Sequence, residues 1–281
     1  MSGRHTFRRF KSAALTGVIV ALCFLAVLPL FLIFADLVHK GFTALDWNFF
    51  TKIPVSAGQT GGGVANAIVG TAIIVAIACV VGLPVGIGAG IYLAEYGQGR
   101  LGWMVRFIAD VMNGTPSIVV GIFAWVWLVK PVHHFSALAG GVALAMLMVP
   151  MLARTTEEMV RLVPHSIREA ALALGYPRWR TSMRVVVRAA LSGIVTGALV
   201  GVARVAGETA PLLFTALGNL NFTTSIGGPM QSLSLQIFTY GTGPFEDWHR
   251  MAWASALVLV AMVLILSLAA RWATRRHRGA A

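Results

Sequence analysis

The sequence predicts an all-α polytopic membrane protein with about six transmembrane helices. Of its 281 residues, 57% are hydrophobic and 11% are charged, and the mean hydropathy is +0.79. Soluble domains carry about 25% charged residues. The apolar residues also form runs of about 20, the length that a helix needs to cross the hydrocarbon core of a bilayer. This composition excludes an ordinary soluble enzyme.

Six apolar runs define the predicted spans. The first run is uncharged from Ser12 to Ala35. Because a signal-peptide core has only about 7–15 residues, we interpret this run as a transmembrane helix. The spans are placed at about 13–38, 64–94, 111–129, 135–153, 189–217 and 251–270. The chain thus divides into a basic tail (1–12), a first transmembrane helix (13–38), a core domain (64–270) with a loop at 155–188, and a second basic tail (271–281).

Lys and Arg residues are unevenly distributed among the segments that join the spans. If the N-terminus is cytoplasmic, six spans return the C-terminus to the same side. Seventeen of the 22 basic residues then lie on the cytoplasmic side and four lie outside, while Arg204 lies within a span. Cytoplasmic segments of membrane proteins carry an excess of Lys and Arg. The net charge of +12 therefore indicates membrane orientation rather than binding to nucleic acid.

The fifth span contains two charged residues, Arg204 and Glu208. A charge near the bilayer centre costs about 2.5–3.5 kcal/mol on insertion scales, so its presence points to a function. The two residues are four positions apart and lie on one helix face. Gly193, Gly197 and Gly201 recur every four residues on a nearby face, and such stripes let helices approach closely. We therefore expect a buried pair that faces protein and not lipid; an ion pair that only fixes packing is the alternative.

Pro211 follows these charges and predicts a break in the same helix. Proline has no backbone N–H, so it should free the carbonyl of Gly207. Broken helices with charged groups beside them form the substrate sites of many transporters. The guanidinium of Arg204 carries a permanent charge and a fork of donors, which suits an oxyanion. The sequence therefore predicts a substrate path at this break.

The loop between the fourth and fifth spans carries its own helix signals. Ser166 followed by Glu169 is typical of a capping box at a helix start. Gly175 is a typical helix end, and Pro177 blocks continuation. We expect a compact cytoplasmic helix here. The alternative is a basic loop that only anchors the membrane topology.

Glu169, Ala170 and Ala171, followed after three residues by Gly175, resemble the EAA signature of permeases of ABC importers. In that family this loop forms a cytoplasmic coupling helix that docks into the ATPase subunit. The resemblance implies an ABC type I importer permease-like fold, with these four residues in ATPase coupling.

The segment 204–214 resembles the permeases of ABC phosphate importers, most closely the PstA type, and so do segments 113–118 and 228–233. The resemblance covers about residues 60–270. It implies a phosphate importer permease whose substrate path includes Arg204, Glu208 and Thr209. Another oxyanion such as sulfate or molybdate is the alternative substrate. A stand-alone channel or secondary transporter, and a membrane scaffold that transports nothing, are alternative functions.

The resemblance also implies partners in a bacterial inner membrane. These are a second homologous permease subunit (PstC-like), a dimer of ATPase subunits (PstB-like) and a phosphate-binding protein (PstS-like). The sequence contains no G-x-x-x-x-G-K-[ST] motif to cradle ATP phosphates, so we expect ATP hydrolysis in a partner and no enzyme activity in this chain. No catalytic set, metal site or cofactor is predicted. Both termini are expected in the cytoplasm.

Overall fold

Helices account for nearly all of the regular structure. The computed structural model describes residues 2–56, 59 and 61–278. The helices are α1 (Ser2–Phe42), α2 (Trp47–Thr51), α3 (Ala65–Glu95), α4 (Arg100–Gly114), α5 (Ser117–Ala124), α6 (Ala137–Arg161), α7 (His165–Ala173), α8 (Arg178–Thr181), α9 (Val187–Ala206), α10 (Ala210–Thr215), α11 (Leu233–Gly241) and α12 (Glu246–Arg278). π-Helical turns extend α5 through Trp125–Val129 and join α8 to α9 through Ser182–Val186.

The described residues contain five helices that are long and apolar enough to cross a membrane. They are Phe7–Phe42 of α1, α3, α6, the continuous helix Arg178–Ala206, and Glu246–Trp272 of α12. The bent pair of α4 and α5 makes a sixth if it counts as one span. The predicted all-α fold with about six spans is therefore confirmed.

The third span differs from the prediction. Residues 111–129 were expected to form one helix, but the axes of Arg100–Gly114 and Ser117–Val129 are bent by 107°. Thr115, between them, has an extended backbone with ψ 132°. The cause is Pro116, because the residue before a proline is driven out of the helical region. The two halves of this segment thus run in different directions.

The helical segments extend beyond the predicted spans at both ends of the chain. α1 begins at Ser2 and α12 continues to Arg278, so the described parts of the two basic tails are helical. Met1 and residues 279–281 lie outside the described part. α6 runs to Arg161, two turns past the predicted end at residue 153.

α6 is the central helix and packs against α3 on one side and α9 on another. Glycines at every fourth position form both contacts, namely Gly82, Gly86 and Gly90 on α3 and Gly193, Gly197 and Gly201 on α9. A Cβ atom on Gly86 would lie 2.6 Å from Leu152 Cβ on α6. Small residues at this spacing allow helix backbones to approach closely. The glycine stripe predicted on the fifth span is therefore confirmed as a packing surface.

Gly86→Ala is expected to lower the stability of the bundle, because the added methyl group would push α3 away from α6. Overpacking of this kind typically costs about 1–3 kcal/mol. Gly88→Ala is the matched control, since Gly88 lies on the same helix with no heavy atom within 4 Å of an added Cβ. The melting temperatures of both variants in detergent check this. Equal stability of Gly86→Ala and wild type would contradict the packing argument.

The segment 218–250 joins the fifth and sixth predicted spans, so the predicted topology places it outside the membrane, but it is partly buried in the bundle. Met230, Leu233 and Leu235 are each at most 2% exposed. An added Cβ on Gly70 of α3 would meet the carbonyl oxygen of Gln231, so the segment runs directly against α3. The backbone N–H of Leu233 also donates to the hydroxyl of α3 residue Thr71 at 2.8 Å. This segment, which includes α11, is a structural part of the core.

Candidate functional site

The fifth span breaks at residues 207–209, as the sequence predicted. α9 ends at Ala206, and α10 restarts at Ala210 with Pro211 in its first turn. In the last turn of α9 the N–H of Gly207 donates to Arg204 O at 3.1 Å and that of Glu208 to Val205 O at 3.2 Å. Proline suits the first turn of a helix because its missing N–H would have no partner there. The result is a non-helical turn within the bundle.

Arg204 lies in the last turn before this break and Glu208 lies within it, but they do not form a buried pair. Arg204 Nε lies 3.9 Å from Glu208 Oε1, and the side chains are 57% and 19% exposed. The expectation of a buried pair is wrong for this chain because Arg204 lies beside the glycine stripe that α6 covers. Within the described residues, this long ion pair is the only polar contact of the Arg204 side chain. Its N–H donors therefore remain available to an anion.

Arg204 lies near mid-height in the bundle. One turn before it, Gly201 packs against Met148 and Leu152, which lie midway along α6. A guanidinium at such a depth is costly to place in hydrocarbon, so charged groups there face protein or a water-filled cavity. The exposed face of Arg204 must therefore line an aqueous path or contact another subunit.

The predicted path residue Thr209 is held by α11. Ser234, in the first turn of α11, donates its hydroxyl to the carbonyl of Glu208 at 3.0 Å. The hydroxyl of Thr209 approaches the carbonyl of Ser234 at 3.5 Å. Carbonyls freed by a helix break need such partners when they are buried. Sequence reasoning missed this support, because Ser234 lies in the segment that we expected outside the membrane.

The loop after α6 contains the expected helix, α7, with a different beginning. α7 starts at His165 after Pro164, and no side chain caps it. The predicted capping box of Ser166 and Glu169 is therefore wrong, because the helix begins one residue earlier and Pro164, not Ser166, occupies the N-cap position. The predicted end at Gly175 is confirmed.

Gly175 has a left-handed backbone, with φ +80°. Its N–H donates to Leu172 O at 2.9 Å, and the N–H of Tyr176 donates to Ala171 O at 3.2 Å. These two bonds define a Schellman motif, which favours glycine because other residues are strained at positive φ. The motif turns the chain sharply towards α8.

α7 presents a partly apolar surface away from the bundle. Ala171 is buried, whereas Glu169 and Ala170 are exposed. Large apolar side chains beside them are also exposed, namely Leu172, Leu174, Tyr176 and Trp179. Exposed apolar side chains this close together in sequence favour a site of interaction with another protein. The predicted coupling residues Glu169 and Ala170 lie on this surface, and Ala171 faces inward.

Two carboxylates with little exposure to solvent, neither recognised in the sequence, anchor the segments around α7. Glu157 on α6 is 1% exposed and pairs with three arginines, namely Arg106 (2.6 Å), Arg154 (2.8 Å) and Arg161 (2.7 Å). Glu95 at the end of α3 pairs with Arg168 of α7 at 2.9 Å. Pairs 51 and 73 residues apart leave no spacing signal in the sequence.

No group of three His, Cys, Asp or Glu side chains suited to a metal ion occurs within the described ranges.

The family of binding-protein-dependent transport system inner membrane components matches residues 86–279. A chain of the MetNI methionine ABC transporter, solved in inward-facing conformations, has a similar fold with a TM-score of 0.59. That likeness covers 76% of this chain and 94% of that chain at 23% identity, so it concerns the fold alone. These matches define the class: an inner-membrane permease component with the fold of type I ABC importers.

Curated relatives narrow the class. The Yersinia pestis phosphate transport system permease protein PstA is 42% identical over 279 residues, which cover 98% of this chain and 94% of that protein. The PstA protein of Xylella fastidiosa is 45% identical over 244 residues, covering 86% and 85%. The chain belongs to the PstA family of phosphate transport system permeases.

Proposed function

We propose that this protein is the permease subunit of an ATP-driven phosphate importer and forms half of its translocation path. The observation that carries the proposal is the exposed guanidinium of Arg204, whose long ion pair with Glu208 leaves donors available, beside the break at residues 207–209. It provides a permanent cation, available donors and a non-helical backbone at mid-height in the bundle. Broken helices of this kind bind substrates in other transporters. The PstA relatives support phosphate as the anion.

Glu208 supports phosphate over sulfate or molybdate. Phosphate near neutral pH retains a proton and can donate a hydrogen bond, which a carboxylate accepts, whereas sulfate has no proton to donate. A site built to pair with a donor rejects an analogue that lacks it. Glu208, 3.9 Å from Arg204 and 19% exposed, is placed to accept that hydrogen bond beside the cation. Thr209 adds a hydroxyl at the same turn.

The partners follow from what this chain provides and lacks. The exposed face of Arg204 is completed by a second, PstC-like permease subunit. ATP hydrolysis occurs in a dimer of PstB-like subunits, and a PstS-like protein delivers phosphate from outside. Both termini lie in the cytoplasm, in agreement with the excess of Lys and Arg on that side. Movement of the ATPases opens the path alternately to the two sides of the membrane.

The coupling helix is α7. Glu169 and Ala170 lie exposed on it, next to the apolar side chains that a docked ATPase would cover. Ala171 packs inward, and Gly175 fixes the turn at the helix end. When the two ATPase subunits close, their movement is transmitted to the permease through this surface.

Uptake by the purified complex in vesicles tests the proposal. With ATP inside and the binding protein outside, we expect uptake of radiolabelled phosphate that excess sulfate does not inhibit. Glu208→Gln should reduce the preference for phosphate, because its amide can donate to sulfate as well as accept. ATP-dependent uptake of sulfate in place of phosphate would favour the alternative substrate. Flux that needs neither ATP nor an ATPase subunit would overturn the proposal.

A further inference from the structure

Glu95 joins three segments at the cytoplasmic end of the bundle. It is the last residue of α3, and its side chain is 10% exposed. Its Oε1 accepts hydrogen bonds from Nε and Nη2 of Arg168 at 3.1 and 2.9 Å. Hydrogen bonds between Arg and a carboxylate are about twice as strong as neutral ones. The carboxylate thus fixes the coupling helix α7 to the end of α3.

Arg168 is itself attached to a second segment. Besides the bonds to Glu95, its Nη2 donates to the carbonyl of Val160 at 2.9 Å, and its Nη1 donates to the carbonyl of Val163. These carbonyls belong to the end of α6 and to the turn before α7. The side chain is 16% exposed, so water competes little for its donors. One guanidinium therefore connects α7, α6 and α3.

The second oxygen of Glu95 reaches the base of the fifth span. Oε2 accepts a hydrogen bond from the hydroxyl of Ser182 at 2.8 Å. Ser182 opens the π-helical turn that leads directly into α9, the helix that carries Arg204. It is 3% exposed. A displacement of α7 would therefore act on α3 and on α9 through the same carboxylate.

We infer that Glu95 is a positioning residue that transmits the movement of the coupling helix to α3 and α9. The inference rests on the proposed function, because it assigns to one junction the path between α7 and the substrate site. Glu95 touches neither the substrate nor the exposed surface of α7, and it acts through Arg168 and Ser182. A buried, fully bonded ionic junction resists stretching more than apolar contacts do, since separating its charges leaves them without partners.

A double-mutant cycle of Glu95→Gln and Arg168→Gln in the assembled complex tests the inference. Phosphate transported per ATP hydrolysed, and the stimulation of ATP hydrolysis by the phosphate-loaded binding protein, are measured in vesicles. Each single variant should lower the transport ratio about tenfold, within the range that single substitutions in a coupling network produce. The double variant should be no worse than either, because both remove the same connection. Ser182→Ala should have a smaller effect in the same direction.

Glu158→Gln is the matched control, an exposed carboxylate on the neighbouring α6 that should leave the ratio unchanged. Co-purification of the subunits and ATP hydrolysis without the binding protein should remain at wild-type levels in all variants. A wild-type transport ratio in Glu95→Gln would overturn the inference. Loss of the ATPase subunits from this variant would also overturn it, because Glu95 would then only hold the docking surface in place. If the wild-type complex moves no phosphate, the proposed function fails instead, and the two failures are distinguishable.

Discussion

Arg204→Ala is expected to reduce phosphate uptake by at least about 100-fold, the loss seen when a single preorganised charge-stabilising donor is removed from a site. The permanent cation at mid-height in the path disappears, and no other described side chain at the break can replace it. Arg204→Lys should retain part of the uptake, because lysine keeps the charge but not the planar fork of donors. Uptake of radiolabelled phosphate in vesicles measures both effects.

The loss should occur without loss of the complex. The side chain of Arg204 is 57% exposed and has one ion pair of 3.9 Å, so its removal leaves no cavity and no buried partner. Arg188→Ala is the control, because Arg188 is an exposed arginine near the start of the same helix, and it should leave uptake nearly intact. Normal uptake by an Arg204→Ala complex that assembles normally would contradict the assigned role.

The spans were predictable because they depend on composition alone. Within a bilayer every backbone polar group must be hydrogen-bonded inside the protein, so an apolar run of about 20 residues forms a helix. The break at residues 207–209 and the turn at Gly175 were predictable because their signals are local. Pro211 and Gly175 each affect the backbone of residues only a few positions away in the sequence. The positions of Arg204 and Glu208 on the break followed directly.

The buried part of the outer loop was not predictable in this way. Asn, Gly, Ser and Thr around Gly227 and Gly228 indicate an exposed loop, and the apolar residues that follow form only the short helix α11. The segment is buried because it packs against Gly70 and Thr71 of α3, which lie more than 150 residues earlier in the sequence. Gly70 has no side chain, so the backbone of the segment can approach α3 closely, and Thr71 accepts a hydrogen bond from it. The bend before Pro116 also had a local signal, the proline itself. The span was placed by its mean hydropathy over about 20 residues, and this average does not reveal a bend.

Glu157→Ala is expected to destabilise the bundle by about 2–4 kcal/mol, somewhat less than the full cost of leaving a buried charge unpaired, because its arginine partners are partly exposed. Glu157 is 1% exposed and holds three arginines within 2.8 Å. Its removal leaves three like charges close together and a cavity between α4 and α6. Thermal unfolding of the complex in detergent measures the effect.

The exposed fractions of the arginines predict how the cost is distributed. Arg161 is 55% exposed, so Arg161→Ala should cost at most about 1 kcal/mol, as surface pairs do. Arg106 is 22% exposed and also donates to the carbonyls of Leu93 and Gly97, so its replacement should cost more. Glu158→Ala, next to Glu157 but exposed, should be nearly neutral. Equal effects of Glu157→Ala and Glu158→Ala would contradict the role of Glu157, because burial is the main difference between these adjacent carboxylates.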